Sequence, residues 1–232
     1  MDNLTTLTIT AASIAFVHTV LGPDHYLPFI VMSRARKWSI YKTTWVTVLS
    51  GFGHVISSVL LGAIGIAVGI GLNRLELFES FRGDLAAWLF VLFGFAYMIW
   101  GIYRSIRNKP HKHIHHHENG TAHVHEHIHE EKHDHVHKTN ITPWILFTIF
   151  FLGPCEPLIP ILMYPASLSS SWGIAQVSIV FSLVTILTMV GLVLLASYGF
   201  KFVKLGRMER YMHAIAGATI FLSGIGILFL GL

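Results

Sequence analysis

The chain has 232 residues, of which 53% are apolar and only 12% charged, about half the ~25% charged content of a soluble domain. A mean hydropathy of +0.60 excludes a disordered chain and argues against a soluble enzyme. The net charge of +4 comes from cations beside apolar blocks, which reads as a membrane-orientation signal and not as a nucleic-acid surface.

The first element is an apolar block over residues 5–33. Met1-Asp2-Asn3-Leu4 lacks the basic stretch of a signal peptide, so the block is expected to stay in the mature protein. Within it lies Leu21-Gly22-Pro23-Asp24-His25-Tyr26-Leu27-Pro28. Gly-Pro interrupts the hydrogen-bond ladder of a helix, because proline has no N–H and its ring clashes with the carbonyl four residues back. The next blocks, 43–72 and 85–106, predict two further spans. The first of these contains Ser50-Gly51-Phe52-Gly53-His54.

A long loop over 108–140 follows, with almost nothing apolar to bury, and is expected to be disordered without metal. It holds twelve of the sixteen histidines: His111, His113, His115, His116, His117, His123, His125, His127, His129, His133, His135 and His137. Such a tract binds borderline metals with little discrimination, so it reads as a metal buffer or sensor, with a soluble spacer as the plain alternative.

The fourth block, 141–166, contains Leu152-Gly153-Pro154-Cys155-Glu156-Pro157-Leu158-Ile159-Pro160, a second Leu-Gly-Pro followed by an acid. Blocks 174–199 and 210–231 complete six predicted spans. Each reaches the ~20 apolar residues that cross a bilayer.

The pattern predicts an all-α integral membrane protein built as two inverted three-helix repeats, with the first helix of each repeat broken at Gly-Pro. The units are 1–107, the loop 108–140, and 141–232. Spans three and six also share glycines seven apart, Gly94 with Gly101 and Gly217 with Gly224. Fourteen Lys and Arg residues fall in one set of loops and only Arg74 and Arg82 in the other. That bias puts both termini outside and the histidine loop in the cytoplasm of a plasma-membrane protein.

Ionisable groups at mid-membrane depth read as functional, and inverted symmetry would bring Asp24 and Glu156 together near the midplane. His18, Asp24, His25, His54, Cys155 and Glu156 are therefore the candidate metal ligands. On an intact helix His18 and His25 would lie ~10.5 Å apart along the axis, so one metal could take both only if the helix unwinds at Gly22-Pro23. The plain alternatives are a hydrogen-bonding strut for His54, a packing residue for Cys155 and a structural role for His213. The lone Cys155 rules out an internal disulfide and any intramolecular dithiol cycle.

The expected function is secondary transport of a divalent transition-metal cation, with protons as a coupling ion. The partners are the lipid bilayer and transition-metal ions, with no nucleic acid. No cofactor is required beyond the bound or transported metal, and a homo-oligomer stays open. An enzyme is not expected. A membrane metalloenzyme, a metal-delivery factor and a sulfite-like anion exporter are the alternatives.

The motif His18-x5-Asp24-His25, with Gly53-His54 followed by Ser57-Ser58-Val59, resembles the nickel/cobalt transporter superfamily. That superfamily includes the nickel/cobalt permeases, the hydrogenase/urease accessory metal permeases and efflux proteins with a His-rich loop. The resemblance implies nickel or cobalt as cargo, with His18, Asp24, His25 and His54 as ligands. It also extends to membrane thiol-electron carriers, whose paired motifs each bear a Pro-Cys. Here Asp24 stands where the first of those cysteines would be, so a dithiol relay within the chain is broken.

Overall fold

Both Gly-Pro sequences break their helices in the computed structural model. The structure describes residues 3–107, 111–116, 122–127, 141–155, 157–167, 170–200 and 206–230. Helix α1, Asn3–Leu21, stops at Gly22. One 3-10 turn, Pro23–His25, follows, and α2 resumes over Leu27–Ala35. Later, α5 (Thr142–Leu152) stops before Gly153, and α6 (Leu158–Ser167) restarts after the Pro-Cys segment.

The unbroken helices are α3 (Ile40–Val68), α4 (Leu72–Arg107), α7 (Ser171–Gly199) and α8 (Met212–Leu230). Ser39 caps α3 by accepting a hydrogen bond from the Lys42 N–H, and Gly69 ends it in the left-handed conformation at φ 71°. Among the described residues, five segments are long and apolar enough to cross a membrane: Asn3–Leu21, Ile40–Val68, Leu72–Arg107, Ser171–Gly199 and Met208–Leu230. The remaining predicted span, the fourth, is two short helices, α5 and α6, because the break divides it.

One boundary is corrected. The third span was expected at 85–106, yet α4 begins at Leu72. Its 36 residues make it ~54 Å long, well beyond the ~30 Å hydrocarbon core. The stretch 72–84 holds five charged side chains at 74, 76, 79, 82 and 84, which read as a loop in the sequence. Two of them, Glu79 and Arg82, pair with each other one turn apart and so remain helical. The histidine loop falls only partly within the described residues. There β1 (His111–His116) and β2 (Ala122–His127) pair antiparallel, with His111 opposite His127, His113 opposite His125 and His115 opposite His123. His117, His129, His133, His135 and His137 lie outside the described residues.

Packing follows the logic of a membrane bundle. Large apolar side chains such as Phe16, Phe52, Leu92, Leu187, Leu222 and Phe229 point outward, while small residues and hydroxyls pack inside. Buried Thr19 and Thr47 donate to the carbonyls of Ala15 and Thr43 on their own helices, so they add no unpaired polar atom. The glycines seven apart form the seam between α4 and α8. A methyl group on Gly94 would overlap the backbone of Phe221, one on Gly217 the backbone of Met98, and one on Gly101 the backbone of Ala214. Small residues that allow such backbone contact replace the hydrophobic drive that helices lack in lipid.

At one end of this seam the Tyr97 hydroxyl and His213 Nδ1 lie 2.7 Å apart, and the Arg36 guanidinium sits 5.4 Å from the Tyr97 ring centre. His213 is thus a strut linking α8 to α4.

Gly217→Val should force α4 and α8 apart and lower the thermal unfolding midpoint in detergent, at a cost of at least the ~1–3 kcal/mol of an overpacked core. Gly199→Ala, a site with open space around it, should leave the midpoint close to wild type.

Candidate functional site

Unwinding at Gly22-Pro23 does what an intact helix could not. His18 lies in the last turn of α1 and His25 closes the 3-10 turn, and their ring centres are 4.8 Å apart. His54, from the middle of α3, stands 5.2 Å from His25 on its other side. Gly22 permits this, because a Cβ there would lie 2.6 Å from His25 Nδ1. His25 Nδ1 is 3.2 Å from both the Gly22 carbonyl oxygen and Asp24 Oδ1.

The second break closes on the same place. The His54 Nδ1–H donates to the carbonyl of Phe150, at 3.3 Å, in the last turn of α5. That bond fixes the tautomer and leaves Nε2 as a lone pair. The Nε2 atoms of His18, His25 and His54 are all buried, and none has a hydrogen-bond partner among the described residues. The three imidazoles and Asp24 line a cavity of about 190 Å³, whose remaining wall includes Phe90, Phe150, Gly153 and Pro154. Its rim is Ser80 and Asp84, both exposed on successive turns of α4.

The α5 break is held by residues that the sequence reading left in a loop. Arg82 donates to Glu79 Oε1 at 2.8 Å, to Ser57 Oγ at 2.6 Å and to the Phe151 carbonyl at 3.0 Å. Ser58 Oγ accepts from the Cys155 N–H at 3.0 Å and donates to Glu79 Oε2 at 3.3 Å. Carbonyls freed at the break thereby find partners from α3 and α4, as hydrocarbon requires. The signal for this was present. A Glu and an Arg three apart at the edge of an apolar block can pair on one helix face.

Of the predicted ligands, His18, Asp24, His25 and His54 come together. Glu156 lies outside the described residues, so its expected meeting with Asp24 does too. Among the described residues, the second carboxylate at the chamber is Asp84. Cys155 follows Pro154 but is fully buried in an apolar cluster with Ala11, Ala15, Val55, Val177 and Phe181. Its backbone belongs to the site and its side chain packs beside it. Among the described residues no three His, Cys, Asp or Glu side chains stand close enough to hold one metal ion as they are.

A multi-pass helical membrane protein with a polar chamber between two broken helices is the class these features define. Residues 27–226 match the model for the transmembrane region of cytochrome c biogenesis proteins, and the chain belongs to that family. Neither a curated protein nor a solved structure matches it.

The family corrects two expectations. The chain is not placed with the nickel/cobalt transporters, and nickel or cobalt transport is withdrawn as its function. The likeness to those transporters rested on short motifs and on a six-span layout with a histidine loop, whereas the family match runs from α2 to α8. It lends no support to the sulfite, metalloenzyme or metal-delivery alternatives. The match begins two residues after His25, so His18, Asp24 and His25 precede it.

Arg82→Gln should destabilise the protein by on the order of 3 kcal/mol, because it removes the cation paired with the buried Glu79 carboxylate. Adding Glu79→Gln should recover part of that loss. Thermal unfolding of the single and double variants checks both, and a single variant as stable as wild type contradicts the network.

Proposed function

We propose that the chain is a membrane carrier of the cytochrome c biogenesis class, acting in thiol-redox transfer across the bilayer. The observation that carries this reading is the family match over 27–226, which spans Cys155 and the α5–α6 break. With one cysteine the chain cannot close a disulfide within itself, so the other sulfurs come from its partners. The Cys155 thiolate attacks one sulfur of a passenger disulfide. That S–S bond breaks, a mixed disulfide forms, and the other passenger sulfur leaves as a thiolate.

A thiolate of a partner dithiol then attacks the Cys155 sulfur and releases the second passenger thiolate. The partner's remaining thiolate resolves the new mixed disulfide. The passenger gains two electrons, the partner dithiol becomes a disulfide, and Cys155 returns to its starting state. Because Cys155 is buried, the cycle needs the Pro-Cys segment to open between α5 and α6.

Acid quenching followed by thiol alkylation in intact cells tests this. Wild-type protein should yield mixed disulfides that vanish in Cys155→Ser, and the partner thiols should shift redox state in that variant. A Cys155 that stays reduced throughout, with partner thiols unaffected by Cys155→Ser, would overturn the reading.

The finer architecture belongs to the same proposal. The broken α1–α2 with α3 and α4 forms one three-helix unit, and the broken α5–α6 with α7 and α8 forms an inverted second unit. Matching Leu-Gly-Pro sequences at both breaks support it. The bias of basic residues supports outward termini and a cytoplasmic histidine loop.

A second reading is favoured by the three imidazole Nε2 atoms buried without partners among the described residues. They and the Asp24 carboxylate suit a borderline divalent transition metal as a held ion, with the nitrogens as donors. Such an ion would supply positive charge beside the Pro-Cys break. Deleting 111–137 should leave one tightly bound zinc equivalent per chain, and His54→Gln with Asp24→Asn should remove it. Zinc titration monitored by calorimetry reads this, and stoichiometry that is zero or unchanged by the substitutions contradicts the reading.

A further inference from the structure

At the basic end of the bundle lies a second cavity, of about 400 Å³, between the α2–α3 turn and the end of α7. Its lining includes Arg34, Lys37, Trp38, Ser197, Phe200 and Glu209. Two cations face one carboxylate, and among the described residues neither Arg34 nor Lys37 has an ion pair. Two donors at the cavity, Trp38 Nε1 and Ser197 Oγ, are buried with no hydrogen-bond partner among the described residues. Buried donors of that kind cost free energy unless a ligand or water accepts from them. The Lys42 ammonium lies 5.4 Å from the centre of the Trp38 ring and adds positive potential.

We propose that this cavity binds a phosphate ester group, the anionic headgroup of a membrane phospholipid. The charge calls for an anion, and the N–H and O–H donors call for one with several acceptor oxygens. The site sits where helix ends meet the interface, at headgroup depth. The helices that line the cavity, α3 and α7, expose Tyr41, Trp45 and Leu195 elsewhere on their surfaces, apolar area of the kind that acyl chains cover. Free phosphate has the same chemistry but no acyl chains to be held beside those helices.

The test is thermal unfolding of the full chain in neutral detergent, with phosphatidylglycerol, phosphatidylcholine or inorganic phosphate added separately. Phosphatidylglycerol should raise the midpoint and phosphatidylcholine should not. Arg34→Gln with Lys37→Gln should raise the half-saturating lipid concentration by about 25-fold, roughly fivefold per cation. Trp38→Phe keeps a ring and removes the N–H, so it should weaken binding with the fold intact. A response to inorganic phosphate as strong as that to the lipid would overturn the lipid assignment. No response, or one unchanged in all these variants, would overturn the site itself. Cys155→Ser should keep the full lipid response, which separates this site from the proposed redox role.

Discussion

Everything at the centre of this protein depends on one requirement: backbone carbonyls released inside hydrocarbon must be given partners. Pro23 and Pro154 each release several. At the first break the chain answers locally. Gly22 O takes the His25 N–H, and the Tyr26 hydroxyl reaches the Val20 carbonyl at 3.3 Å. At the second break the answer comes from elsewhere. His54 takes the Phe150 carbonyl, and Arg82 takes that of Phe151. The chamber is a by-product of these repairs, since the side chains that satisfy the breaks also bring their polar ends together.

That logic explains why charges tolerated here would be ruinous elsewhere. Glu79 is almost fully buried, yet Arg82 and Ser58 hold its two oxygens. Removing Arg82 takes the counter-charge from a buried carboxylate, which is costly. The same network reaches Cys155 through its backbone N–H. The geometry of the Pro-Cys segment is thus tied to an ion pair on another helix.

Short motifs and long-range pattern pull in different directions in this chain. His18, Asp24, His25 and His54 do gather once the helix unwinds at Gly22-Pro23, but the cargo inferred from them did not follow. Donor chemistry describes what a site can hold. It does not say what the surrounding protein is for, and the family match over 27–226 concerns the whole arrangement of helices.

The sequence alone determined membrane insertion, both helix breaks and the presence of His25 beside Asp24 at one of them. These are local properties, set by apolar run length and by the missing N–H of proline. The tertiary structure decided the rest. It closed His18 onto His25, brought His54 from another helix, and drew Asp84 to the rim. It turned Cys155 into an apolar cluster and made glycines seven apart into the α4–α8 seam. No sequence distance encodes those meetings. They arise from how separate helices pack, and an apolar helix in lipid shows little in its own pattern of which face its neighbour will cover.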